Sequence, residues 1–141
     1  ELDMSFGGAT PGDLERMVAL CGPGLASLSV RGCPRLTGGA LGAVLAGHPG
    51  LAATLTSLDM SQLRGCGGRF PPGVLHMTGL RALSASGCGL RGALDRGLWA
   101  LATLRELDVS DNAIDDVSSV LPKIPHLEVV DLRGNAGLWE E

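Results

Sequence analysis

The chain has no tyrosine, only two phenylalanines and two tryptophans, and a single lysine, Lys123. With so few aromatic residues, the core has to be filled by Leu, Val and Ala. A formal net charge of −4 leaves no basic field to hold a phosphate backbone, so nucleic acid is excluded as an expected partner. Apolar runs of about 18 residues are also missing, and no membrane-spanning helix is expected. No charged-then-apolar leader precedes the strand-like start Glu1-Leu2-Asp3-Met4-Ser5. The four cysteines, Cys21, Cys33, Cys66 and Cys88, form neither a CxxC pair nor a close cluster of the kind that staples secreted repeats. Free, mostly buried thiols in a reducing, intracellular compartment are the expectation. Catalytic signatures are absent as well. No Ser/His/Asp order or HExxH occurs, and the glycine-rich stretch from Gly65 to Gly68 is not followed by the Lys and Ser/Thr of a phosphate loop. Neither an enzyme nor a cofactor is expected.

Glycine, by contrast, is abundant. The 22 glycines among 141 residues call for turns at regular intervals, and 45% hydrophobic against 18% charged residues is ample for a folded core. Sliding the chain against itself reveals the interval. Leu104-Arg-Glu-Leu107-Asp-Val109-Ser-Asp-Asn112-Ala-Ile114 places apolar residues at relative positions 1, 4, 6 and 11 and Asn at 9. Leu127 to Asn135 repeats this spacing, while Leu25 to Cys33 and Leu80 to Cys88 repeat it with Cys in the Asn place. Leu55-Thr-Ser-Leu58-Asp-Met60 is a partial copy, and Leu2-Asp-Met4 fits the tail of another. The fourth-position residues fall at 2, 28, 58, 83, 107 and 130, in steps of 26, 30, 25, 24 and 23.

Apolar residues two apart lie on one face of a short strand, and the residues between them lie on the other. A lone strand of this kind has no stability. Stacked in parallel and sealed by the returning half of each repeat, the strands bury their leucines in one continuous core. The Asn or Cys at position nine sits where the chain turns inward. There an Asn amide can satisfy backbone N–H and C=O groups of its own repeat and of the next.

The spacing resembles the leucine-rich repeat, L-x-x-L-x-L-x-x-N/C-x-L with a period of 20 to 29. That resemblance implies an α/β fold, a solenoid with a curved parallel sheet on its concave face and helices and irregular turns on its convex face. It takes in residues 1–141 as a single domain of about five and a half repeats, expected to be a fragment of a longer protein. The return segments differ. Leu14 to Cys21 and Leu36 to Ala46 have helical spacing and resemble the cysteine-containing repeats of F-box proteins; Asp13 is read as capping a helix that carries Leu14, Met17, Val18 and Leu20. Leu90 to Leu101 is similar to the plant-type form, and Ile114 to Ile124 to the short repeats of phosphatase-regulatory and axonemal proteins. Position nine of the third repeat falls on Leu63, and the following Arg64 to Pro72 runs one residue out of step, which is read as a local bulge.

Site residues follow from the same register. Cys33, Cys88, Asn112 and Asn135 form the structural turn ladder. Facing outward between the core positions are Asp3, Ser29, Asp59, Ser84, Asp108 and Asp131, followed by Ser5, Arg31, Ser61, Ser86, Ser110 and Arg133. Family usage puts partners on this concave face, and Asp3, Ser29, Arg31, Asp59, Ser84, Asp108, Asp131 and Arg133 are the candidate partner-binding residues. Four aspartates in the first row suggest a basic partner segment, although Asp followed by Ser is also the common filling of these slots. No aromatic anchor falls on the face. Trp99 is read as packing on the return side, and Trp139 lies at the end of the chain.

Asp115-Asp116 reads as a solvated turn, and His48, His76 and His126 as turn residues too far apart to share a metal. The expected function is non-catalytic protein binding or scaffolding, in a cytoplasmic or cytoskeletal, even axonemal, assembly. Further repeats or another chain should cover the N-terminal edge. The repeat types leave two alternatives, the substrate-recognition part of an F-box-type ubiquitin ligase and a regulatory subunit of an enzyme such as a phosphatase.

Overall fold

A computed structural model describes residues 1–139. Six short strands make the framework, namely β1 (Leu2–Asp3), β2 (Ser27–Ser29), β3 (Ser57–Asp59), β4 (Ala82–Ser84), β6 (Glu106–Asp108) and β8 (Val129–Asp131). They form one parallel sheet in that order, with Leu2, Leu28, Leu58, Leu83, Leu107 and Val130 in register across it. These are the six positions marked by the sequence repeat. Parallel neighbours need a connection that returns the chain to its starting end, and each return segment supplies one.

Burial follows the two-residue alternation. Leu28 and Val30, Leu58 and Met60, Leu83 and Ala85, Leu107 and Val109 all point inward and are at most 2% exposed. Leu25, Leu55, Leu80 and Leu104 close the same interior from the start of each unit. From the return segments come Leu14, Leu41, Val74, Leu98, Ile114 and Val120, and all belong to one apolar cluster. At roughly 1.5–3 kcal/mol per fully buried aliphatic side chain, this shared interior is the main stabilising term.

Helix α1 (Pro11–Cys21) starts at Thr10, whose hydroxyl accepts from the Asp13 N–H while the Asp13 carboxylate accepts from the Thr10 N–H. Thr10 is therefore the cap and Asp13 its reciprocal partner in the third helical position, a correction to the sequence reading. Only Leu14 and Val18, four apart, face the core; Met17 is 37% and Leu20 80% exposed. Leu20 lies about 200° round the helix from Val18, so both cannot face inward. Thr37 caps α2 (Gly38–Ala46) through the Ala40 N–H. Two single-turn helices follow, α3 (Leu51–Thr54) and α4 (Pro72–Leu75). Helices α2 and α4 touch backbone to backbone, since a Cβ on Gly73 would collide with the Gly42 carbonyl.

Past β4 the returns change character. Strands β5 (Arg91–Ala93) and β7 (Ala113–Asp116) form a second, two-stranded parallel sheet that sequence reading did not anticipate. The remaining returns are single 3₁₀ turns at Arg96–Ala100, Leu121–Lys123 and Ala136–Leu138.

The bulge expected near Leu63 is not in the main sheet. Register runs evenly from β2 through β4, and the ladder continues beyond the strands with Gly32 N–H to Ser61 O at 2.9 Å and Gln62 N–H to Ser86 O at 2.7 Å. Leu63, 1% exposed, fills the place held by Cys33 and Cys88 in neighbouring units. The additional residues are absorbed afterwards by a turn in which Gly65, Gly67 and Gly68 all take positive φ. A bulge does occur between β5 and β7, where Asp115 is unopposed because Gly92 pairs with Ile114 and Ala93 with Asp116.

One regularity links every strand to its turn. The residue four past each register position is left-handed, and these are Phe6, Gly32, Gln62, Gly87, Asp111 and Gly134, with φ from 54° to 75°. Glycine adopts this conformation freely, whereas another residue is strained by roughly 1–2 kcal/mol. Gln62→Gly is therefore expected to stabilise the chain by about 0.5–1 kcal/mol and Gly87→Ala to destabilise it by about 1 kcal/mol, as read from urea-unfolding midpoints.

Candidate functional site

The turn ladder occupies the inward corner after each strand. Asn112 Oδ1 accepts from the Cys88 and Leu90 N–H groups, each at 3.0 Å, while Nδ2 donates toward the carbonyls of Ala85, Val109 and Ser110. Asn135, fully buried, does the same one unit on, accepting from Ile114 N–H and donating toward Val109, Leu132 and Arg133. Each amide thus joins two successive units. Cys33 and Cys88 make a lighter version of this contact, with thiols donating to Met4 O at 2.9 Å and Met60 O at 3.0 Å. Leu63, in the same place, has no polar side-chain atom to make this contact and is held there by apolar burial.

The sheet's other face carries the candidate partner-binding residues. The register brings Asp3, Ser29, Asp59, Ser84, Asp108 and Asp131 into one row, because each lies one residue past a register position. All four aspartates perform the same local task. Each accepts the backbone N–H two residues on, from Ser5 at 2.9 Å, Ser61 at 3.0 Å, Ser110 at 2.9 Å and Arg133 at 3.1 Å. The carboxylates therefore hold the strand ends in their turns.

A second row lies beside the first, and here side chains bond across strands. Ser5 and Ser29 share a hydroxyl contact of 2.7 Å, Ser61 Oγ accepts from the Ser86 N–H, and Ser110 Oγ donates to Ser86 Oγ at 2.9 Å. Sequence reading placed these serines in the row but missed the ladder between them, although Ser fills four of the six places at 5, 31, 61, 86, 110 and 133. Ser61 and Ser110 are buried despite their polar character, with Ser61 0% exposed.

The column is only partly acidic. Arg133 grips Asp131 through Nε and Nη2, at 2.9 and 2.7 Å, and its hydrogen bonds hold the Asp131 carboxyl below the usual carboxylate range. Arg31 approaches Asp59 at 3.8 Å. Asp3 and Asp108 have no ion pair among the described residues, so unneutralised charge is concentrated at these two. Hydrogen bonds from Ser5 lower the Asp3 carboxyl as well.

The other sequence candidates lie elsewhere. His48 Nε2 meets Glu15 Oε1 at 2.7 Å, linking α1 to the turn after α2, and His76 and His126 are exposed. Asp116 accepts from the N–H and hydroxyl of Ser118, which keeps its carboxyl low. Trp99 is partly exposed on the return side, with the Lys123 ammonium 4.4 Å from its ring centre. Trp139 is 69% exposed at the end of the described chain. Among the described residues no three His, Cys, Asp or Glu side chains converge as a metal site, and no helix is long and apolar enough to cross a membrane.

Comparison with known proteins adds one finding. No curated protein matches the chain. A family profile described as Leucine Rich repeat matches residues 100–118, which span β6, Asn112 and β7. Together with the six-stranded parallel sheet, this match supports a leucine-rich repeat protein, a class whose domains generally mediate protein–protein interaction.

Proposed function

We propose that the chain is a non-catalytic protein-binding module, a scaffold component of an intracellular, cytoplasmic or cytoskeletal assembly. It takes an extended, basic segment of a partner protein along the polar face of its sheet. The observation supporting this reading is the aspartate row, in which Asp3 and Asp108 each keep a carboxylate oxygen with no hydrogen bond among the described residues. Short side chains fixed by their own turns cost little entropy when a partner binds, and charge sets the choice of partner. In the assembly, further repeats or another chain pair with the free edge of β1, where Phe6 is 65% exposed.

Replacement by Asn separates the two roles of these aspartates, because the amide oxygen keeps the turn while the charge is removed. Asp3→Asn with Asp108→Asn is expected to leave stability within about 0.5 kcal/mol and to weaken partner binding by roughly two- to tenfold, more at low salt. Titration of the partner against both proteins by calorimetry tests this; equal affinities would remove the acidic row from the site. Because hydrogen bonds from Ser5 hold the Asp3 carboxyl below its ordinary value, the part of the affinity that Asp3→Asn removes should persist to lower pH than for an unperturbed carboxylate, as read by the same titration. Purification from the native source identifies the assembly, with structural subunits supporting the scaffold and adaptor and cullin subunits favouring a ligase role.

A further inference from the structure

Two thiols lie together away from the sheet's polar face. Cys66 belongs to the glycine turn of the third unit and Cys88 to the turn after β4, and both line one open cleft of about 430 Å³. Each sits between two glycines, in Gly65-Cys66-Gly67 and Gly87-Cys88-Gly89. A Cβ at Gly67 or Gly89 would meet nothing within 4 Å, so the flanks leave the cleft clear. Arg64 and Arg91 line the same cleft. Both sulfurs are free in this structure; Cys88 is 4% exposed and Cys66 is half-buried.

We propose that Cys66 and Cys88 form a dithiol modification site that a low-molecular-weight disulfide oxidises to an intramolecular Cys66–Cys88 bond. Accessibility makes Cys66 the attacking group. The side-chain contact between the two lowers the Cys66 thiol and, with burial, pushes Cys88 up, so Cys66 is the one that ionises. In the first step the Cys66 thiolate attacks one sulfur of the small disulfide, forming a mixed disulfide and expelling one small thiolate. Cys88 then gives up its proton and attacks the Cys66 sulfur, expelling the second small thiolate. Two protein thiols are oxidised, one small disulfide is reduced to two thiols, and the protons pass to the departing thiolates. The bond replaces the Cys88 contact with Met60 O and ties the turn of the third unit to that of the fourth.

The test uses the full chain carrying Cys21→Ser, which removes the exposed thiol. The protein is incubated with oxidised glutathione, acid-quenched, unfolded and alkylated, then weighed intact and mapped with trypsin without reduction. Arginines at 64, 69, 81 and 91 place the two cysteines in separate peptides, 65–69 and 82–91. The proposal expects alkylatable thiols to fall from three to one, the two peptides to be joined, and dithiothreitol to restore all three. Cys88→Ser, which keeps a hydroxyl for Met60 O, should stop at a glutathione adduct on Cys66, and Cys66→Ser should lose at least tenfold in the rate of glutathione uptake. Three thiols remaining, a lasting Cys66 adduct in the parent, or undiminished uptake by Cys66→Ser would each overturn it.

Discussion

Asn112→Ala is expected to cost the chain about 3 kcal/mol of unfolding free energy. The amide serves two N–H groups and three carbonyls, drawn from the fourth and fifth units. Each buried backbone group left unpaired costs about 1–3 kcal/mol. Asn112 is only half-buried, so water can enter and repair part of the loss, which holds the total well below the sum. Asn112→Asp is the sharper comparison. It keeps an acceptor for Cys88 and Leu90 but turns a second oxygen toward the carbonyls of Ala85, Val109 and Ser110, so at neutral pH it should destabilise at least as much as alanine. Urea unfolding with an unchanged slope gives both values, and a loss below about 1 kcal/mol for Asn112→Ala would show that the amide contacts carry little weight.

Leu83→Ala should cost about 3–4 kcal/mol. Leu83 is 1% exposed at the register position of a central strand, between Leu58 and Leu107. Neighbouring units hold its surroundings in place, so the space left by truncation cannot collapse, and the cavity adds to the lost transfer energy. Leu20→Ala provides the contrast. With Leu20 80% exposed, the change should stay within about 0.5 kcal/mol, although a count of apolar residues treats the two leucines alike. Thermal and urea denaturation of both variants would show whether burial, and not leucine content, sets stability.

What the sequence made legible was whatever recurs at a fixed offset. All six register positions, the inward pairs beside them and the Asn or Cys corner could be read, because each arises from strand alternation and each repeats. Local exceptions could not. The pairing of β5 with β7 is made by Ala113 N–H to Leu90 O at 2.7 Å and Leu94 N–H to Asp116 O at 2.8 Å, contacts between segments whose own sequences have no strand alternation. Left-handed turns were visible where Gly32, Gly87 and Gly134 mark them and hidden where Phe6, Gln62 and Asp111 do the same work under strain. The third unit misled for a related reason. Counting residues from Leu63 to Phe70 shows that the unit is longer but not where the extra length goes, and three positive-φ glycines place it in the turn, outside the sheet.

The outward face was legible as a list of residues, but its electrostatics were not. Four aspartates in a row suggest a uniform acidic strip; geometry gives each a backbone N–H to hold and pairs two of them with arginine. Arg133 lies two residues from Asp131 on one strand end, whereas Arg31 reaches Asp59 on the next strand, and only the second pairing depends on the fold.

The account depends on successive units lying side by side with their strands parallel and in register. Amide and α-proton NOEs on labelled protein address this directly. Contacts are expected from the Met60 amide to Ser84 and from the Ala85 amide to Asp108, following the ladder bonds of 2.8 Å at each, with no close α-proton pairs between facing strands. Strong α-proton to α-proton contacts between the Leu58, Leu83 and Leu107 segments, the mark of antiparallel pairing, or no contacts between them at all, would contradict it.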